Sequence, residues 1–233
     1  MSIVKKYKSI VASIENKFSG IYTLELSSPD KPFRFSPGQF LHLALEKDYD
    51  GIGQWPESRC FSMQSNPDEC NIRITYAVKG KFTHMMEDHL RVGSGVWLKL
   101  PYGDLFTRPH NKANSVFIAG GTGITPFLSL FTHKSFSGYT NPRIYLGFRS
   151  SAFNIYEGEL ELIKLNKNFM KNQDLNIVYE DIRGKLNIQD ILRENGTDPD
   201  YFISGPPEMI KSFKNYLLAD GVPILHVKTD DWE

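Results

Sequence analysis

Three short segments stand in fixed order and far apart along this chain: Arg59-Cys60-Phe61-Ser62, Gly120-Gly121-Thr122-Gly123-Ile124-Thr125-Pro126 and Ser204-Gly205-Pro206-Pro207-Glu208-Met209. The middle one can be read from its residue types. The apolar run Val116-Phe117-Ile118-Ala119 leads straight into it and a helical pattern follows, so backbone N–H groups of the loop and of the helix start would converge on one point with positive polarity. That is a site for a pyrophosphate. Its glycines let the backbone come close, Thr122 adds a hydroxyl donor, and Pro126 sits in the first helical turn, where its missing N–H is harmless. Taken alone, the segment reads equally well as a tight strand-to-helix turn. Single glycine turns and Arg-x-aromatic-Ser tetrapeptides arise by chance, but all three segments in one order at domain-scale separation seldom do.

Composition narrows the rest. At 233 residues the chain suits two domains, each burying its own apolar interior. Lys plus Arg equals Asp plus Glu at 27 each, so no long-range field favours a polyanion and no nucleic-acid role is expected. Cys60 and Cys70 are the only cysteines, too few for an iron-sulfur cluster held by four thiolates and without Cys-x-x-Cys spacing, so any redox centre must be brought in. His42, His84, His89, His110, His133 and His226 are scattered without metal-ligand spacing, and no metal is expected. No stretch approaches the ~20 apolar residues needed to cross a bilayer, and the N-terminus lacks an uninterrupted apolar core after its charges. A cytoplasmic protein without membrane contact is expected, its basic start Lys5-Lys6-Tyr7-Lys8 forming a solvated strand edge. No repeat or low-complexity run suggests a solenoid or a disordered scaffold.

The elements that must position these segments fall into two rhythms. Up to residue 101, short alternating or β-branched runs (10–14, 22–26, 39–45, 60–64, 71–78 and 96–100) are separated by turns such as Ser36-Pro37-Gly38 and Asn66-Pro67-Asp68, which predicts an antiparallel barrel. One helix interrupts it, beginning near Thr83, which is suited to cap its first turn, and ending at Gly93. Residues 107–115 lose periodicity and read as a linker. Apolar strands over 115–119, 143–147, 175–180, 201–204 and 224–227 then alternate with helical segments near 125–134, 157–168, 187–194 and 206–219, which predicts a parallel sheet with helices on both faces.

The segment Gly120 to Pro126 resembles the pyridine-nucleotide motif of the ferredoxin-NADP reductase superfamily. Arg59 to Ser62 resembles that family's Arg-x-Tyr-Ser flavin motif, and Ser204 to Met209 is similar to its Cys-Gly-Pro-x-x-Met segment near the nicotinamide. The resemblance spans nearly the whole chain. It implies a two-domain architecture: an N-terminal antiparallel flavin-binding β-barrel over residues 1–108 and a C-terminal parallel α/β sheet binding NAD(P) over 109–233, with the reaction in the cleft between them.

The same resemblance implies residue roles. Arg59 would present its planar fork of donors to the flavin pyrophosphate, Cys60 and Phe61 would accompany it with the Phe61 ring against the flavin, and Ser62 would place a hydroxyl near N5, the atom that accepts hydride. Tyr76, Val78, Gly80, Lys81, Phe82 and Thr83 would line the flavin where its phosphates meet a helix start, Thr83 serving as both cap and ligand, or as cap alone. Gly121, Thr122, Gly123 and Thr125 would hold the dinucleotide pyrophosphate, Arg149 and Ser150 its adenosine half, and Gly205, Pro206 and Met209 its nicotinamide. Glu180 and Asp181, closing the third parallel strand, would accept from ribose hydroxyls and repel a 2'-phosphate, which favours NADH, while Arg183 and Lys185 pull the other way. Trp232 in the tail Lys228-Thr229-Asp230-Asp231-Trp232-Glu233 would cover the isoalloxazine and gate nicotinamide entry. Ser62, Ser204 and Trp232 are the expected catalytic residues. The plain alternatives are a surface ion pair for Arg59, a core aromatic for Phe61, exposed loop for Arg149 and Ser150, and a frayed end for Trp232.

Two departures stand out: Ser204 where the family has Cys, and Phe61 where it has Tyr, which forfeits a phenolic hydrogen bond of ~1 kcal/mol. Pro101-Tyr102-Gly103-Asp104-Leu105-Phe106 resembles a family turn in which Leu100 replaces a glycine, and its role is structural. The implied function is a flavin-dependent oxidoreductase in which NADH or NADPH reduces bound FAD, preferred over FMN, at N5. Electrons then pass to a small molecule or a protein such as a ferredoxin, a flavodoxin or an oxygenase component. The alternatives are a reductase subunit of a multicomponent oxygenase or electron-transfer complex, and a catalytically weak nucleotide-binding regulatory module.

Overall fold

The structure, a computed structural model, describes residues 3–164 and 175–230. The chain divides into two compact units, Met1–Asp104 with Leu128–His133, and Leu105–Phe127 with Lys134–Glu233.

The first unit is a six-stranded antiparallel sheet built from β1 (Lys5–Phe18), β2 (Ile21–Ser27), β3 (Phe40–Ala44), β4 (Ser58–Ser62), β5 (Ile72–Ala77) and β6 (Gly95–Tyr102), in the order β4-β3-β6-β1-β2-β5. Alternate side chains turn inward, among them Val11, Leu24, Leu41, Leu43, Ile74 and Leu98, which form one apolar core. The sheet curls until its two ends meet: Gln64 N–H donates to Arg73 O at 2.8 Å and Arg73 N–H to Ser65 Oγ at 3.1 Å. No ladder joins β4 to β5, so the unit is barrel-like without being closed. The basic start has a ladder partner on one side only, because the pairing of β1 with β2 begins at Ile10. Lys5 to Ile10 pair with Leu100 to Gly95; Tyr7 enters the core while Lys8 is exposed on the opposite face, and Lys5, on the face of Tyr7, is exposed at the strand end.

Helix α1 (Lys81–His89) packs Phe82 and Met86, four apart, against that core. It begins two residues before the expected Thr83. Gly80 is its N-cap residue, and Thr83, at the third helical position, reaches back so that its Oγ1 accepts from Lys79 N–H at 2.9 Å and Gly80 N–H at 3.1 Å.

The second unit is a five-stranded parallel sheet: β7 (Ser115–Gly120), β8 (Pro142–Phe148), β9 (Leu175–Tyr179), β10 (Asp200–Ser204) and β11 (Val227–Thr229), ordered β11-β10-β7-β8-β9. To the same unit belong the start of α2 (Thr125–Phe131), whose residues from Leu128 onward fall in the first unit, and α3 (Glu157–Lys164), α4 (Glu180–Arg183), α5 (Ile188–Asn195) and α6 (Pro207–Ala219). Both faces are covered, as a parallel sheet requires. Val116, Ile118, Tyr201 and Ile203 share a core cluster with residues of α5 and α6, while on the other face Phe117 stacks on Phe202, centroids 5.1 Å apart, beside Phe106, Phe127 and Tyr139. Some expected boundaries move. β9 stops at Tyr179 so that Glu180 and Asp181 open a one-turn helix, residues 224–226 form a 3-10 turn ahead of β11, and of the helix expected over 157–168 residues 165–168 lie outside the described residues. Among the described residues no helix is long and apolar enough to cross a membrane.

The expected linker is bonded along its length. Asn111 N–H donates to Asp200 Oδ2 at 2.5 Å, Ser115 Oγ to Asn111 O at 2.8 Å, and Asp200 N–H to Asn114 O at 3.0 Å. Asp200 also pairs with Lys228, each side chain only 7% exposed. Replacing Asp200 with Ala strands a buried ammonium group and is expected to lower unfolding free energy by about 3–5 kcal/mol in urea titrations, whereas a loss below about 1 kcal/mol would show that water reaches Lys228.

Candidate functional site

In the second unit the chain runs from β7 outward through β8 and β9, then returns to β10 and β11 on the other side of β7. Strand order therefore reverses between β7 and β10, and ligands of open parallel sheets bind beyond the carboxyl ends of strands at such a point. Those ends are Gly120 and Ser204, which carry two of the three sequence segments.

The two loops are packed into one another. A Cβ on Gly123 would lie 2.4 Å from Gly205 Cα, one on Gly120 2.8 Å from Met209 Sδ, and one on Gly205 2.7 Å from Met209 Cε. Gly205 also holds φ at +150°, which side chains rarely adopt. Gly120, Gly123 and Gly205 are thus glycines because loop meets loop, with Met209 packed over two of them. Gly121 differs: it has φ +54° and nothing within 4 Å of its Cβ position, so it faces open space. It begins the 3-10 turn Gly121–Ile124, which runs into α2 at Thr125, whose hydroxyl donates to Thr122 O at 3.0 Å. Open space beside N–H groups at the start of a helical segment fits a pyrophosphate.

Ser204 is 2% exposed and its hydroxyl donates to Asp230 Oδ2 at 3.1 Å, while Asp230 N–H donates to Ile203 O at 2.9 Å. The sequence reading missed Asp230, because nothing local marks a residue 26 positions away as the partner of Ser204. Pro206 is exposed and opens α6. Trp232 lies outside the described residues. At the end of β8, the Arg149 guanidinium stands 5.8 Å from the Phe153 ring, Phe153 N–H donates to Ser150 O at 3.1 Å, and Asp181 N–H donates to Arg149 O at 3.1 Å, tying the ends of β8 and β9 together. Glu180 does not close β9; it begins α4 with its carboxylate 3.6 Å from Lys185 Nζ.

In the first unit, alternation along β4 divides its four motif residues. Arg59 and Phe61 share one face, Cys60 and Ser62 the other. Phe61 is buried in the core with its ring edge toward Tyr76, centroids 6.0 Å apart, and Tyr76 stacks on Tyr22. Burial pushes the Tyr76 phenol pKa upward. Cys60 faces His42, its strand partner, with Sγ 3.6 Å from either ring nitrogen; burial raises the thiol pKa and lowers that of His42. Ser62 is buried opposite Phe40. Val78 N–H donates to Gly20 O at 2.8 Å.

Arg59 sits apart from this packing. Its guanidinium carbon lies 5.2 Å from the Phe82 ring, which brings a fork of donors beside the amino end of α1. There the N–H groups of Lys81, Phe82 and Thr83 have no intrahelical acceptor, and no acidic residue occupies the first turn. The Arg59 guanidinium at present donates to Ser58 O at 2.8 Å and pairs with Glu57 at 3.0 Å, with the Arg59 side chain 52% exposed. Such an exposed pair is worth little. The Thr83 hydroxyl, by contrast, already accepts twice and donates to Gly80 O at 3.0 Å, the geometry of a cap.

These features define a flavin-and-nicotinamide oxidoreductase fold. Residues 10–106 match the model of an oxidoreductase FAD-binding domain and residues 117–215 that of an oxidoreductase NAD-binding domain. The chain belongs to the ferredoxin-NADP reductase superfamily. Among curated relatives, the reductase component of propane 2-monooxygenase from Mycolicibacterium smegmatis is 30% identical over 236 residues, covering 94% of this chain and 66% of the relative. The ferredoxin–NAD(P)(+) reductase component of the naphthalene 1,2-dioxygenase system of Pseudomonas putida is 31% identical over 155 residues, covering 65% of this chain and 44% of the relative. The chain thus spans just under two thirds of the length of the propane monooxygenase reductase. A ferredoxin NADP+ reductase from Neisseria gonorrhoeae, solved with bound FAD and NADP, shares the fold with a TM-score of 0.75 at 18% identity over 99% of both chains.

Replacing Gly123 with Ala is expected to force the two loops apart, lowering the melting temperature and weakening dinucleotide binding at least tenfold by calorimetric titration. Gly121→Ala, strained in φ but free of contacts, is expected to cost about 1–2 kcal/mol. Equal tolerance of both changes would contradict the packing argument.

Proposed function

We propose that this chain is an FAD-dependent NAD(P)H oxidoreductase. Its second unit takes up the reduced dinucleotide, its first unit holds the flavin, and the electrons leave for an acceptor beyond these 233 residues. The observation that carries the reading is that each unit presents its own place for a phosphate group: Arg59 beside the start of α1 in one, Gly121 beyond the end of β7 in the other. Bound FAD supplies hydride acceptance at N5 and onward release of electrons one at a time.

The residues of the chain bind and orient. Arg59, with the N–H groups of Lys81, Phe82 and Thr83, holds the flavin phosphates, Gly80 keeps that approach open, and Tyr76 and Val78 wall the site. The Ser62 hydroxyl and the backbone around Cys60 and Phe61 serve the reacting ring. Gly121, Thr122, Gly123 and Thr125 hold the dinucleotide pyrophosphate, Arg149 and Ser150 its adenosine half, and Gly205, Pro206 and Met209 its nicotinamide end. Ser204 acts as a hydroxyl engaged by Asp230 and not as a thiol. Trp232 gates the nicotinamide by resemblance to family tails. FAD is preferred over FMN, the two functional domains divide at residues 108 and 109, and the protein works in the cytoplasm with NADH or NADPH as donor.

The names of the relatives favour a more specific version, in which the chain is the reductase component of an oxygenase system. Two cysteines do not suffice for a four-thiolate cluster, so a one-electron carrier such as a ferredoxin would stand outside this sequence. Arg59→Ala is expected to lose flavin during purification, with FAD affinity reduced about 10- to 100-fold, the size of a lost charge-assisted contact. A variant that stays fully yellow removes the role given to Arg59. Trp232→Ala is expected to shift the dinucleotide titration curves, and superimposable curves would make that residue a bystander.

A further inference from the structure

His110 lies in the segment joining β6 to β7, and its two ring nitrogens have opposite, fixed roles. Nδ1 is 2.7 Å from Arg108 O, which only accepts, so Nδ1 carries the proton. Nε2 is 2.6 Å from the Tyr139 hydroxyl, which therefore donates to it. The ring stacks on Tyr139 and stands edge-on to Phe202, centroids 5.5 and 5.1 Å away. The next residue, Asn111, is bonded through its N–H to Asp200.

The charges around this ring come from three elements. Asp200 of β10 is already engaged by Lys228 and by Asn111 N–H. Lys228 of β11 holds its ammonium group 5.5 Å from the Phe202 ring, and Lys112 of the same connecting segment lies 5.6 Å from the Tyr139 ring. A proton added at Nε2 would thus enter a place whose one carboxylate is taken and whose aromatic walls already face two cations.

We propose that His110 is an acid-sensitive catch: as neutral imidazole it clamps the connection between β6 and β7 onto the amino edge of the parallel sheet, and on protonation it lets that connection go. Protonating Nε2 removes the acceptor of the Tyr139 hydroxyl and compels it to turn. The electrostatics agree in sign. Burial lowers the His110 pKa from 6.5, the Arg108 carbonyl and Asp200 oppose that shift, and Lys112 and Lys228 add to it. An unfolded histidine takes up its proton near pH 6.5, so the catch contributes fully above that value and is lost as pH falls through the lower folded value.

The test compares the wild type with His110→Gln, whose amide does not titrate, between about pH 7.5 and 5. The wild type is expected to lose hydrogen-exchange protection at the Asn111 amide, and melting temperature, as pH falls; in the variant that pH-dependent loss is expected to be absent. Equal loss in both proteins overturns the proposal. Should the variant fail to fold, the ring C–H resonances of His110 in the wild type decide the matter: a titration midpoint below 6.5 supports the catch, and one at or above 6.5 overturns it.

Discussion

Gly123 and Gly205 approach so closely that no side chain fits on the former, and the arrangement at the carboxyl edge of the parallel sheet depends on that contact. Because β7 and β10 are neighbours, the loops leaving them must share one small volume. Glycine is the residue that permits it, and Met209 fills what remains beside Gly120 and Gly205. With the volume occupied from within, the 3-10 turn begins on the open side, at Gly121. The two loops act as one body, so a ligand held by either is positioned by both.

The first unit solves its binding problem differently. A strand alternates, so β4 cannot direct Arg59, Cys60, Phe61 and Ser62 at one ligand face. Phe61 joins the core and fixes the strand, which leaves Arg59 to reach along the same face to the start of α1. Arg59 is held there by an exposed pair with Glu57 that costs little to exchange. Thr83 stabilises the first turn of α1, and Arg59 with the free N–H groups supplies the positive polarity.

Much of this was legible in the sequence, because alternation and glycine punctuation report local geometry directly. The antiparallel unit, the βα alternation and the loops at Gly120 and Ser204 follow from residue patterns a few positions long. Contacts made across long sequence separations left no such trace. Asp230 beside Ser204, Asp200 paired with Lys228, and Gly205 filling the space over Gly123 join residues 26, 28 and 82 positions apart. The basic start Lys5 to Lys8 was legible as well, since its ladder runs to β6 alone and the pairing of β1 with β2 begins only at Ile10. The start of α1 shifted because Gly80 serves as N-cap while Thr83 caps from inside the helix.

The central claim is that a flavin in the first unit is reduced by a dinucleotide bound to the second. Anaerobic titration of the flavin-loaded protein with NADH and with NADPH, followed through the visible flavin absorbance, tests it most directly. The account predicts that at least one of the two nucleotides bleaches the flavin in stoichiometric amounts. A flavin that remains bound and fully coloured with both would contradict it.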